Sequence, residues 1–125
     1  MASVRPFRAL RPVPADAERV ASVPYDVVSA DEARELAEGN ALSFLHVVRP
    51  EIDLPAGTDE HDDAVYAGGA AALAAFAAGE HFTEDAEPGL FVYRLVMNGR
   101  AQTGVVGLVS AAAYDSTRRR VPGAN

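Results

Sequence analysis

Three groups of side chains in this 125-residue chain have types and spacings that can do chemistry. Arg5, Arg8 and Arg11 come first. Guanidinium groups grip phosphate or carboxylate through a two-point fork, so this segment is a candidate binding site for such a ligand. On an extended backbone Arg5 and Arg11 share a face and Arg8 takes the other. The plainer reading is a solvated basic edge that discourages strand pairing. The second group is Pro24-Tyr25-Asp26. A rigid proline before a tyrosine and a carboxylate can present a general base or a metal-binding oxygen. The plainer reading is a turn with a buried tyrosine and a capping aspartate.

The third group is Asn40, Ser43, His46, Arg49 and Glu51. The run Ser43-Phe44-Leu45-His46-Val47-Val48 is apolar and partly β-branched, and its pattern predicts a strand. On such a strand Ser43, Leu45, Arg49 and Glu51 share a parity, and His46 faces the other way. Arg49 and Glu51 can form a simple ion pair. His46 can act as an acid or base near neutral pH; the plainer reading is a core histidine with one hydrogen bond. The candidate catalytic residues are therefore Asp26, His46 and Glu51, and the candidate cofactor- or ligand-binding residues are Arg5, Arg8, Arg11 and Arg49. No metal site is expected: His61 and His81 read as helix-surface residues, and no spacing suits zinc.

Several chemistries are missing from the pattern. The chain has no cysteine, which removes disulfides, thiolate metal sites and a cysteine nucleophile. There is no glycine-rich phosphate loop of the Walker or Rossmann kind and no Gly-x-Ser-x-Gly elbow. The residues specify no cofactor.

The elements that must position these groups follow from local rules. Pro6, Pro12 and Pro14 forbid a helix over residues 4–14 and leave an extended segment or edge strand. A short helix is expected over Ala15–Ala21, then an extended stretch through Val28, since Pro24 biases Val23 away from helix. Ser29-Ala30-Asp31-Glu32 is a capping box and predicts a helix from Ala30 to about Glu38, stopped by Gly39 in a left-handed cap. Glu51–Gly57 reads as a loop. Thr58 or Asp59 is expected to cap a helix running to Ala78, stopped by Gly79, with Val65, Leu73 and Phe76 on one face. Gly68-Gly69 is a weak point inside it, costing about 1 kcal/mol per glycine. Asn98-Gly99 is the preferred two-residue hairpin turn between strands Leu90–Met97 and Arg100–Val109. That register pairs Tyr93 with Gly104, giving the ring room to lie across its neighbour. Phe91, Tyr93, Leu95 and Met97, with Val106 and Leu108 opposite, are the expected core face. The predicted class is α/β (α+β), with a mixed or antiparallel sheet, a C-terminal β-hairpin and two to three helices.

Bulk composition bounds the function. With 49% hydrophobic and 23% charged residues the chain is globular. Its formal net charge of -7 repels nucleic acid, even though Arg118, Arg119 and Arg120 add a second basic cluster. No signal peptide is visible, and the longest apolar stretch, Gly68–Ala78, is too short to span a bilayer. A soluble, cytoplasmic protein with no membrane partner is expected.

Several stretches carry a family resemblance. They are Arg5-Pro6-Phe7-Arg8-Ala9-Leu10-Arg11-Pro12, Pro24-Tyr25-Asp26-Val27, and Asn40 through Glu51. Leu90-Phe91-Val92-Tyr93-Arg94 and Gln102-Thr103-Gly104 also fit. In that order and spacing the chain resembles the N-terminal region of the bacterial domain of unknown function 1015 family. Family members continue past the point matching Tyr114-Asp115 with a basic, His-Glu-containing motif and a large C-terminal portion. Here Arg118-Arg119-Arg120 leads instead to Val121-Pro122-Gly123-Ala124-Asn125. A truncated member is therefore expected, with a domain over residues 1–115 and a disordered or aberrant tail over 116–125.

The resemblance implies a link to serine metabolism, because family members are often encoded beside serine-biosynthesis genes. It also implies kinship with the ParB and sulfiredoxin-like fold, some of whose members bind nucleotides and phosphorylate free serine. Two readings follow. One is a domain that binds a phosphorylated small molecule or nucleotide, at best part of a small-molecule kinase-like enzyme and inactive alone. The other is a non-catalytic binding or scaffold domain.

Overall fold

The computed structural model describes residues 3–113. The chain divides into two units, one of residues 10–83 and one built from the segments on either side. Its elements are strands β1 (Val4–Arg5) and β2 (Leu10–Pro12), a 3-10 turn Pro14–Asp16, helices α1 (Ala17–Val20), α2 (Ala30–Ala37) and α3 (Leu45–Val48), a 3-10 turn Pro50–Asp53, helix α4 (Asp63–Ala78), and strands β3 (Phe82–Glu84), β4 (Phe91–Met97), β5 (Arg100–Val106) and β6 (Leu108–Val109). This is a mixed α/β protein with small antiparallel sheets and a C-terminal hairpin, as the sequence predicts. Among the described residues, no helix is long and apolar enough to cross a membrane.

In the flanking unit, Asn98 and Gly99 take φ of 51° and 76°, the positive values that a two-residue hairpin turn requires. They set the expected register, with Met97 opposite Arg100 and Tyr93 opposite Gly104. β1 pairs antiparallel with β6, and Phe7 exchanges two backbone hydrogen bonds with Gly89. The Phe7 and Phe91 rings meet edge to face at 5.1 Å. Gly107 allows a close approach here: a Cβ at that position would lie 2.6 Å from Val4 Cγ1 and 2.9 Å from Leu90 Cδ2, so those side chains would have to move.

Two expectations for the hairpin are corrected. The Tyr93 ring does not lie over Gly104, since a Cβ there would meet nothing within 4 Å. The expected core face is not a core: Tyr93 is 57% and Met97 64% exposed, and Leu95, Val106 and Leu108 are exposed too. The opposite face, with Val92, Val96 and Val105, is also open. Alternation marks which residues share a face, but it does not supply the layer that covers them.

Residues 10–83 hold the helical core. Ala33, Ala37 and Leu45 are buried together, with Val28, Val48 and Ile52 packed against them. α2 starts as predicted: Glu32 N donates to Ser29 Oγ and Ser29 N donates to Glu32 Oε1, both at 3.2 Å. Gly39, at φ 71°, turns the chain out of it. α1 and its 3-10 lead-in occupy the expected short helical segment. β2 pairs with β3, and α4 ends with Phe76 stacked on Phe82 at 5.3 Å.

The strand expected over Ser43–Val48 is instead helical. A six-residue apolar run carries no decisive periodicity, and local polar groups settle it. Asn40 Oδ1 accepts from Leu42 N, Asn40 Nδ2 donates to the Arg19 carbonyl, and Ser43 Oγ accepts from Leu45 N. These bonds wind the chain before it can extend. Helical spacing then puts Leu45 and Val48 together against α2. The segment after it, expected as loop, continues as the 3-10 turn Pro50–Asp53.

The start of α4 also differs. Thr58 Oγ1 donates to the Pro55 carbonyl and Asp59 Oδ1 accepts from His61 N, so both residues are spent on turns. The N-cap is Asp62, whose Oδ1 accepts from Ala64 N at 2.9 Å. Gly69 is a close approach rather than a weak point. A Cβ there would lie 3.0 Å from both Pro50 Cγ and the Val47 carbonyl oxygen, so glycine lets α4 lie against the α3–3-10 segment. The tail over 116–125, with Arg118, Arg119 and Arg120, lies outside the described residues.

Candidate functional site

A concavity lies within residues 10–83. It encloses about 580 Å³ between the Tyr25–Asp26 turn, residues 47–51 and one face of α4. Its formation starts at Pro24, which cannot continue a helix and whose carbonyl accepts from Val27 N, so Tyr25 and Asp26 sit at a turn. That turn is held from across the site. Arg49 Nη1 donates to the carbonyls of Tyr25 (2.8 Å) and Val28 (2.7 Å). Arg49 Nε donates to Glu51 Oε1, closing an ion pair across Pro50.

Burial gives this pair its weight. The Arg49 side chain is 14% and the Glu51 side chain 6% exposed. Glu51 is fixed a second time, because Arg34 Nη2 donates to its backbone carbonyl at 3.1 Å while Nη1 holds Asp31. Val65, Gly69 and Leu73, four residues apart on α4, give the cavity an aliphatic wall, and Val47 adds to it. Tyr25 and Tyr66 stand exposed at the rim.

The candidate residues thus fall into separate places. Asp26, Arg49 and Glu51 line the cavity together. His46 lies in a different groove, with Asn40, Ile52 and Asp53. Its Nδ1 meets Asp53 Oδ2 at 2.7 Å and its Nε2 meets the Asn40 carbonyl at 3.0 Å, so it ties both ends of α3 to their flanks. Arg5 and Arg8 belong to the flanking unit, and Arg11 lies on β2. Arg8 Nε donates to the Asp85 carbonyl at 2.7 Å, and its Nη2 lies 3.6 Å from Glu84 Oε1.

Sequence reasoning did not bring Glu60, His61 and Tyr66 to the cavity. His61 is not on a helix surface; it sits in the loop before α4, with Nδ1 3.4 Å from Tyr66 Oη and Nε2 3.5 Å from Glu60 Oε1. The spacing would have pointed to this only if α4 had been started at Asp63. His81 likewise sits just beyond α4, where Nδ1 meets Asp16 Oδ2 at 2.8 Å.

A family model described as a protein of unknown function (DUF1015) matches residues 4–119. The chain belongs to that family. Neither a curated protein nor a solved structure matches it.

Proposed function

From that membership and the geometry above, we propose that residues 10–83 form a small-molecule-binding module whose ligand occupies the cavity beside Arg49 and Glu51. One observation carries this reading. A nearly buried charged pair and a carboxylate, Asp26, border a concavity with an aliphatic wall. Cavities of about 300–1,000 Å³ with an apolar lining and a few placed polar groups are where small molecules bind. Arg49 holds the Tyr25–Asp26 turn through two backbone carbonyls, and Glu51 holds Arg49.

A second reading is a phosphorylated small molecule or nucleotide as ligand, with a role related to serine metabolism and Asp26 or Glu51 taking part in chemistry. The family resemblance favours it. Arg49 supports it less, because its Nε and Nη1 are given to Glu51 and to two backbone carbonyls. Calorimetry of the chain with ATP, ADP and phosphoserine separates the two. Binding of one of these that also shifts the Asp26 and Tyr66 NMR resonances favours the phosphate reading. No heat from any of them, with other small molecules binding at the cavity, favours the first.

A further inference from the structure

We infer that the ligand of this cavity is an organic amine, bound as its ammonium ion and carrying an apolar body. The inference rests on the small-molecule reading of the same site and assigns its chemical class. Charge is the first argument. Asp26, Glu51 and Glu60 line the cavity against a single guanidinium, that of Arg49. Arg49 and Glu51 cancel each other through their ion pair. Among the described residues Asp26 has no ion-pair partner, and the ion-pair partner of Glu60 is the His61 ring at 3.5 Å. An anion entering the cavity meets two carboxylates and, as the one other cationisable group of the lining, the His61 ring already beside Glu60, whereas a cation gains from both carboxylates. The net charge of -7 adds a field of the same sign.

The rim and the wall make the same choice independently. Tyr25 and Tyr66 present exposed rings at the cavity mouth. Aromatic faces attract ammonium groups and give nothing comparable to a carboxylate or phosphate. The aliphatic strip of Val65, Gly69 and Leu73 then accommodates a hydrocarbon portion, with the buried Val65 as its most enclosed part. A phosphorylated ligand would instead bring its negative charge to the carboxylates.

The test uses two probes that share a phenylethyl body and carry opposite charges, 2-phenylethylamine and 3-phenylpropionate, titrated into the full chain at low salt and followed by NMR. The amine is expected to shift the Val65, Tyr66 and Leu73 resonances, with 3-phenylpropionate binding at least about ten-fold more weakly, which corresponds to 1.4 kcal/mol. Asp26→Asn and Glu60→Gln should each weaken the amine about two- to five-fold, the range for exposed charge pairs. Raising the salt should weaken it further. Equal or tighter binding of 3-phenylpropionate overturns the inference. Shifts of the same residues by phosphoserine or ATP, but not by the amine, overturn the amine assignment and leave the cavity as a ligand site. If none of these compounds moves those resonances, the inference and the small-molecule reading both fall.

Discussion

Replacing Arg49 by alanine removes the group that ties the candidate site together. Two hydrogen bonds from the guanidinium to the Tyr25 and Val28 carbonyls disappear, and the Glu51 carboxylate loses its partner. Charged hydrogen bonds contribute about 1.5–3 kcal/mol each, and breaking a buried ion pair costs about 3–5 kcal/mol because one charge stays behind unpaired. Arg49 retains 14% exposure, so some of the lost contact is replaced by water, and the lower end, about 3 kcal/mol, is the expectation. That is a large share of the about 5–15 kcal/mol typical of a whole domain. Glu51→Ala should cost less, about 2 kcal/mol, because the guanidinium keeps its two carbonyl acceptors. The double variant should lose clearly less than the sum, with a coupling of about 1–3 kcal/mol. Urea unfolding of the four proteins, followed by far-UV circular dichroism, measures the cycle. A loss under about 1 kcal/mol for Arg49→Ala, additive with Glu51→Ala, would place the pair with ordinary surface salt bridges and refute the reasoning.

Three further outcomes follow from single positions. Gly68→Ala and Gly69→Ala should have opposite signs: a Cβ at Gly68 meets Pro50 Cβ at an ordinary 3.5 Å, so the helix gains up to about 1 kcal/mol, whereas at Gly69 it meets two atoms at 3.0 Å and destabilises. Thermal melts of the two variants decide this. Gly107→Ala should release β1 from β6, because its Cβ would overlap Val4 and Leu90, and hydrogen exchange at Leu108 and Val109 should quicken. Ser29→Ala should cost about 1 kcal/mol by removing the cap of α2, with Ser29→Asp retaining most of it, both read from urea midpoints.

What could be read from the residues alone divides along physical lines. The hairpin and the start of α2 were legible because Asn98-Gly99 and Ser29-x-x-Glu32 encode backbone geometry within four residues. The Ser43–Val48 run was not, since its conformation is settled by Asn40 reaching to the Arg19 carbonyl and by Leu45 meeting α2. The Arg49–Glu51 pair was anticipated from adjacency, but through the wrong backbone: a strand parity would align the two side chains, whereas the chain bends at Arg49 and Pro50 into a 3-10 turn. Bringing Asp26 to that pair depends on Arg49 binding the carbonyls of Tyr25 and Val28, more than twenty residues away. No local pattern reports such a bond. The exposure of the hairpin was hidden for the converse reason, because alternation describes a strand and not its neighbours.

The central claim is that the cavity beside Arg49 and Glu51 is a ligand site. Chemical-shift mapping of the isotope-labelled chain against a collection of small amines, acids and neutral aromatics tests it most directly. Binding compounds are expected to shift a contiguous set, Asp26, Val47, Val65, Tyr66 and Leu73, with amines dominant among them. Shifts confined to the groove around His46 or to the exposed hairpin, with those five residues unmoved, would contradict it.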